Sequence, residues 1–102
     1  MTLRIQKSVE TDQVVFKLIG RIQAANVPEL LTLMKSESLW NRVVLDLEQI
    51  KLVDRDAVLF LALSEVVGAK LTKCSAYIRE WITQEKNALN RDKTEDPTGF
   101  GG

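Results

Sequence analysis

The sequence predicts an α/β domain, a mixed four-stranded sheet with about three helices in the order β-β-α-β-α-β-α. Short runs rich in β-branched residues alternate with helix-length apolar segments, which is the pattern of mixed α/β folds. A strand, helix and strand follow one another at the spacing of a crossover unit, which requires parallel strands. The chain has 102 residues, which suits a single hydrophobic core.

The chain opens with a predicted β-hairpin. Residues 3–9 alternate loosely between apolar and polar side chains, and residues 14–19 are rich in β-branched and aromatic side chains. The polar residues 10–13 form the turn between them. Gly20 is expected to end the second strand.

A first helix is predicted over about residues 27–37. Asn26 is a suitable N-cap, Pro28 is tolerated in the first turn, and Glu29 would complete a capping box. The apolar residues that follow have the i, i+3, i+4, i+7 spacing of one helix face: Val27, Leu30, Leu31 and Met34.

A buried strand over residues 42–47 and a second helix form the middle of the chain. Residues 49–53 continue the strand as a second extended piece or a connector, and Asp54 is a plausible N-cap. Residues 57–63 are apolar on every side, and such a helix is buried or covered by a partner. In so small a domain, we expect either the later part of the chain or another protein to cover it.

Gly68 has the position of a glycine that ends a helix. Residues 69–74 read as a short strand, parallel to the preceding one and joined to it by a right-handed crossover. Ser75 then caps a last helix with an apolar stripe of Ile78, Trp81 and Ile82.

Apolar content falls sharply after Ile82. The only apolar residues among the last twenty are Ala88, Leu89 and Phe100. Such a segment buries too little surface to offset its ordering entropy. We therefore expect one domain over residues 1–89, followed by a disordered tail or cloning remnant over residues 90–102.

Composition excludes several classes of function. Fourteen basic and fourteen acidic residues with a pI near 6.3 argue against a nucleic-acid partner. With no histidine and one cysteine, the chain lacks the usual metal ligands and any internal disulfide, so no cofactor or metal is expected. No apolar run reaches the roughly 18 residues of a membrane span, and the first residues have no secretory signal pattern. We expect a noncatalytic, cytoplasmic protein.

Two segments resemble the STAS domain, the module of bacterial anti-sigma-factor antagonists and sulfate-transporter tails. Residues 18–30 (LIGRIQAANVPEL) resemble the opening signature L-x-G-x-L-d, and residues 43–54 (VVLDLEQIKLVD) resemble the second, a strand followed by a turn that ends in aspartate. The resemblance covers about residues 3–82. It implies a STAS-like fold and a bacterial regulatory module that docks an anti-sigma-factor-like kinase or another regulatory protein.

The chain departs from the family pattern at the phosphorylation site. In the antagonists a serine follows the aspartate and is phosphorylated by the partner kinase, whereas Arg55 follows Asp54 here. Because arginine has no hydroxyl, serine phosphorylation cannot operate at this position. Arg55 either forms a surface ion pair or provides a fixed charge that selects a partner or holds an anion. The resemblance assigns partner docking to Asp54, Arg55, Asp56, Ala57 and Phe60.

The resemblance also allows an alternative, an accessory subunit of a lipid or anion transport system, which would suit a missing phosphoacceptor. A homodimer is a further expectation, because the short chain could leave a sheet edge or a helix face uncovered.

Some individual residues invite other interpretations. Cys74 is either a small buried hydrophobe or a reactive thiolate, and the first is favoured because no histidine is present to activate it. Tyr77 and Trp81 lie four residues apart on one helix face, where core packing is favoured over a role as interface anchors. Asp46, with Asp54 and Asp56, could suggest a magnesium site, but capping and solvation explain these carboxylates.

Overall fold

Four strands form one mixed sheet in the computed structural model, which describes residues 3–36 and 40–94. The strands lie in the order β1-β2-β3-β4. The hairpin pair β1–β2 is antiparallel, and the pairs β2–β3 and β3–β4 are parallel. The predicted mixed sheet is thereby confirmed. The strand bounds are β1, Arg4–Val9; β2, Val14–Ile22; β3, Val43–Val53; and β4, Lys70–Thr72.

Three α-helices connect and follow these strands. Helix α1 spans Val27–Lys35, α2 spans Arg55–Val66 and α3 spans Ala76–Thr94. Helix α1 joins β2 to β3, and α2 joins β3 to β4, so both crossovers advance across the sheet in the same direction. Right-handed crossovers of this kind place both helices on the same face of the sheet.

The core lies between that face and the three helices. Its side chains alternate along β2 and β3 with residues of the other face, as the strand period of two requires. The opposite face is polar along its middle, where Lys17 lies beside Asp46 and Asp46 beside Thr72 in the strand register. The largest fully buried side chains include Phe16, Leu18, Leu45, Leu30, Met34, Leu61, Ile78 and Ile82.

Strand β4 is short and covers only part of β3. Its three residues pair with Val44, Leu45 and Asp46, near the start of β3. On that side, the described residues provide no strand partner for residues 47–53. Residues 49–53 belong to the same strand as residues 43–47, so the expected second piece is a continuation rather than a connector.

Gly20 does not end β2 as the sequence suggested. Its φ of 109° lies in a region open to glycine, and the register with β3 shifts between Gly20 and Arg21. Such an irregularity lets the strand bend and continue. The strand therefore reaches Ile22, whose side chain is fully buried.

The start of α1 also differs from the prediction. The Asn26 side chain makes no N-cap bond to α1; its Oδ1 instead accepts a hydrogen bond from Gln23 N at 2.9 Å. This bond closes a short 3₁₀ turn, Ala24–Asn26, immediately before the helix. Because the turn already engages Asn26, the expected capping box with Glu29 does not form.

The other helix ends agree more closely with the sequence. Gly68 follows α2 with a φ of 121°, as expected of a terminating glycine. Helix α1 ends at Lys35, short of the predicted residue 37, which lies outside the described residues. Helix α3 continues through Thr94, so residues 90–94 of the expected tail are helical. Residues 95–102 lie outside the described residues.

A charged cluster joins α2 to α3. Glu65 accepts hydrogen bonds from the Arg79 guanidinium at 3.0 and 3.2 Å and from Lys86 Nζ at 3.0 Å. Near the start of α2, Arg55 Nε lies 3.7 Å from Glu85 Oε2. These contacts show that α3 runs antiparallel to α2.

We expect Glu65→Gln to lower the free energy of unfolding by about 1 kcal/mol. This is less than the cost of breaking a fully buried charged pair, because the Glu65 side chain is 23% exposed. Urea denaturation followed by circular dichroism measures the change. Glu80→Gln is the matched control, since Glu80 is exposed on α3. Equal stability of the two variants would contradict a stabilising role for the cluster.

Candidate docking surface at the start of helix α2

The Asp54 carboxylate fixes the start of α2. Its Oδ1 accepts a hydrogen bond from Ala57 N at 2.9 Å, which confirms the predicted N-cap. Its Oδ2 accepts a second from Ala24 N, also at 2.9 Å. The backbone N–H of Asp54 donates to the Ile22 carbonyl at 3.3 Å. Asp54 therefore joins α2 to the end of β2, and both of its carboxylate oxygens already have a donor.

Arg55 lies on the surface next to this cap. Its side chain is 73% exposed, and its contact with Glu85 at 3.7 Å is an ion pair near the solvent. Exposed pairs of this kind contribute little to stability. The guanidinium can therefore turn towards another molecule at little cost.

Asp56 is also exposed and lies in the first turn of α2, where its charge is favourable at the positive end of the helix dipole. Within residues 3–36 and 40–94, its carboxylate has no hydrogen bond or ion pair. Asp54, Arg55 and Asp56 thus form a short polar surface.

The two apolar residues of the predicted docking set lie inside the protein. Ala57 is fully buried, and Phe60 is 5% exposed. Phe60 therefore contributes to the core and to the floor of a groove rather than to the outer surface. The predicted set is brought together at one end of α2, but only its polar members are open to a partner.

No hydroxyl of α2 is accessible to a kinase. Ser64 is the single Ser, Thr or Tyr of this fully described helix, and it is 4% exposed. Its Oγ donates a hydrogen bond to the Phe60 carbonyl at 2.8 Å. Helix α2 therefore has no exposed hydroxyl.

A groove of about 490 Å³ separates α1 from α2, and we call it the α1–α2 groove. Leu31 on α1 and Leu63 and Val67 at α2 leave 38%, 50% and 54% of their surface exposed along it. We expected that so small a domain could not bury every side of the apolar helix α2. The side of α2 that lines the groove is indeed open, whereas its other sides are buried. The residues that define the groove are Val27, Pro28, Leu31, Leu59, Leu63 and Val67, with Asp56 at one end and Trp40 at the other.

Sequence reasoning missed the open side of this groove. Leu31 was grouped with the buried face of α1, where Leu30 and Met34 do lie in the core. Leu31 is displaced by about 100° around the helix from Leu30. Apolar side chains therefore cover a wider part of the circumference of α1 than the core buries, and the spacing of Leu30 and Leu31 already indicated this.

The remaining candidate residues give no second site. Cys74 is half-buried and packs against the core, and burial raises the pKa of its thiol although nearby Arg79 opposes this. Tyr77 is half exposed, so its expected place in the core is wrong, whereas Trp81 packs partly against the core. Asp46 accepts a hydrogen bond from Glu48 N within β3.

Two absences concern the described part of the chain. Over residues 3–36 and 40–94, no three acidic or cysteine side chains come together as metal ligands would. None of the helices in those ranges is long and apolar enough to cross a membrane.

We expect Asp54→Ala to lower the free energy of unfolding by about 2 kcal/mol, because it removes a helix cap and leaves a second backbone donor unpaired. Asp56→Ala is the matched control, since it removes an adjacent carboxylate that bonds no backbone group. Chemical denaturation of both variants measures the difference. A smaller loss for Asp54→Ala than for Asp56→Ala would contradict the joining role of Asp54.

We expect the Cys74 thiol of the folded protein to react slowly with iodoacetamide near pH 8. Its raised pKa leaves less thiolate at this pH than an unfolded chain has, and its partial burial limits access. Mass spectrometry over time compares the native protein with the urea-unfolded one. Native labelling that matched or exceeded the unfolded rate would show that Cys74 is an activated thiol.

Comparison with known proteins gives no family model and no curated protein that matches this chain. Solved structures do match. The anti-sigma factor antagonist SpoIIAA in its unphosphorylated form superposes with a TM-score of 0.58 at 17% identity, over 88% of this chain and 98% of SpoIIAA. An antisigma-factor antagonist STAS domain from Rhodobacter sphaeroides gives 0.50 at 16% identity, over 72% and 92% of the two chains.

A structure described as Mglu matches as well, with a TM-score of 0.58 at 18% identity. The match covers 70% of this chain but only 20% of Mglu. The chain thus spans about a fifth of that protein and nearly the whole of SpoIIAA. The fold of this chain is the fold of the antagonist SpoIIAA and of the antagonist STAS domain from Rhodobacter sphaeroides.

Proposed function

We propose that this chain is a noncatalytic regulatory module of the STAS type, which docks another protein through the start of α2. The observation that carries the proposal is the placement of Arg55. It is strongly exposed beside a rigid helix cap, in the position that the resemblance assigns to the phosphoacceptor. A fold shared with SpoIIAA and a STAS-domain antagonist supports this role.

Docking of this kind does not depend on phosphorylation. A phosphate at a helix start would add about two negative charges and change what can bind there. Arg55 instead presents one permanent positive charge. The module therefore binds its partner constitutively, and regulation acts through the partner or through the amount of protein.

The exposed groups of the surface indicate the chemistry of the partner. Arg55 is paired only at 3.7 Å with Glu85, so a partner carboxylate that approaches its guanidinium can form a closer, bidentate pair. Leu52, near the end of β3, is 51% exposed and offers apolar contact. An anti-sigma-factor-like kinase or another cytoplasmic regulatory protein with an acidic and apolar patch fits this surface.

The noncatalytic part of the proposal is supported by the state of the reactive groups. Asp54 has both oxygens engaged by backbone donors, and the pKa of the Cys74 thiol is raised rather than lowered. Neither group is poised for proton transfer or nucleophilic attack.

An accessory subunit of a lipid or anion transport system is the second candidate. The observation in its favour is that α2 lacks an accessible hydroxyl, since a structural subunit needs no switch. Its partner would be a membrane-associated ATPase. The identity of the captured protein and the neighbouring genes distinguish the two roles.

The test is affinity capture from the native host, followed by calorimetry with the purified partner. We expect Arg55→Glu to weaken binding at least tenfold, because it reverses the exposed charge at the centre of the surface. Lys70→Glu on β4 is the control, since it makes the same charge change at an exposed position of another element. Equal affinities for the two variants would contradict docking at the start of α2.

A further inference from the structure

We propose that the outer face of the sheet binds the surface of an anionic lipid membrane. The outer face is the side of the sheet opposite the three helices, and it carries Arg4, Lys17, Arg21 and Lys70. The inference does not depend on the proposed function, because the start of α2 lies on the helix side of the molecule. It gives the protein a second binding surface, for the headgroups of anionic lipids.

No helix covers the outer face in the described part of the chain. Helices α1, α2 and α3 all contribute to one buried core, for example through Met34, Leu61 and Ile78. Side chains alternate between the two faces along a strand, so the outer face of β2 consists of the residues between its core positions: Val15, Lys17, Ile19 and Arg21.

Four basic side chains of this face have no ion pair within residues 3–36 and 40–94. Lys17 and Arg21 lie on β2, and the strand register adds Arg4 on β1 and Lys70 on β4. Arg4 and Lys70 are exposed, and Lys17 and Arg21 are half-buried. Their positive charges are therefore available to an anionic partner.

The acidic side chains near this face are already engaged. Asp46 is next to Lys17 in the register, is 13% exposed, and accepts a hydrogen bond from Glu48 N at 3.0 Å. Lys73 Nζ lies 4.0 Å from Asp46 Oδ2 and 3.8 Å from Glu48 Oε1. Because Lys73 partly offsets these two carboxylates, the face keeps a net positive charge although the whole chain is neutral.

The four cations are spread over the face rather than gathered at one point. None of them pairs with another in the strand register. Arg4 and Lys70 lie on the two edge strands, which are about 14 Å apart at the usual strand spacing. Arg21 lies about 20 Å along β2 from the level of Lys70, at about 3.3 Å per residue. A single phosphate cannot contact all four groups, whereas a surface of many anions can.

Aliphatic side chains lie beside three of the cations. The register pairs are Arg4 with Ile19, Arg21 with Leu52, and Lys70 with Val44. Leu52 leaves 51% of its surface exposed. A basic side chain next to an apolar one suits the boundary of a bilayer, where apolar groups enter the acyl layer and the charge stays among the headgroups.

The residue types of the outer face favour a membrane over a nucleic acid or a protein. Single-stranded nucleic acids stack their bases on aromatic side chains, and protein interfaces are enriched in aromatic residues. The described strands place no aromatic residue on this face, because Phe16 is buried in the core. An anionic membrane needs only positive charge and apolar contact, and each Lys or Arg near its surface adds to the affinity.

Co-sedimentation with lipid vesicles tests the proposal. The probes are vesicles of equal parts phosphatidylcholine and phosphatidylglycerol, and vesicles of phosphatidylcholine alone. We expect the protein to bind the anionic vesicles only. Binding should weaken as salt is raised from about 10 mM to about 150 mM, because salt screens the attraction between exposed charges.

A matched pair of charge reversals locates the binding surface. We expect Lys70→Glu to weaken binding to the anionic vesicles at least about fivefold, because a cation of the outer face is replaced by an anion. Lys35→Glu is the control, since it makes the same change at an exposed end of α1, on the helix side. Combining Lys70→Glu with Arg4→Glu should weaken binding further, and circular dichroism checks the fold of each variant.

The proposal is wrong if the wild type fails to bind anionic vesicles at low salt, or binds both kinds of vesicle equally. Equal losses in Lys70→Glu and Lys35→Glu would show that the outer face is not the surface involved. Tighter binding to a single-stranded RNA oligonucleotide than to the anionic vesicles at the same salt would indicate a nucleic-acid surface instead. Loss of vesicle binding in Lys70→Glu with partner affinity unchanged separates this face from the docking surface at the start of α2.

Discussion

Both crossover helices begin near the carboxyl ends of β2 and β3. Two hydrogen bonds to the Asp54 carboxylate hold this end of the sheet together. One carboxylate oxygen caps α2, and the other accepts a hydrogen bond from the backbone N–H of Ala24, just before α1. Since the Asp54 N–H also bonds the end of β2, one residue sets the relative position of a strand and two helices. Asp54 therefore also fixes where Arg55 lies and how far apart the two helices stand at the start of the groove.

The structural role at the start of α2 is confined to Asp54 and is not shared by the residue that follows it. In this chain the cap remains, while the following residue is a permanent cation with no hydroxyl. The helix start is thus a rigid base on which the next side chain can change without loss of the fold, because Arg55 makes only a distant surface contact.

Local signals predicted much of this fold, and the misses have physical causes. Asp54 caps α2 through a side-chain bond to a residue three positions later, and Gly68 ends α2 through its own φ, so the local sequence identified both as helix ends. Gly20 was misread because a glycine inside a bent strand resembles a glycine that ends one. Phe60 was assigned to the docking surface by a family position, but burial depends on how α1 and the sheet pack around α2, which no local pattern contains.

The short β4 has a consequence for how this protein avoids aggregation. Beyond Asp46, one side of β3 has no strand neighbour among the described residues, which leaves backbone groups open to pairing with another chain. Glu48 and Lys51 are exposed along that stretch, and charges on a free strand edge discourage such pairing. Their opposite signs place protective charge there without altering the net neutrality of the chain.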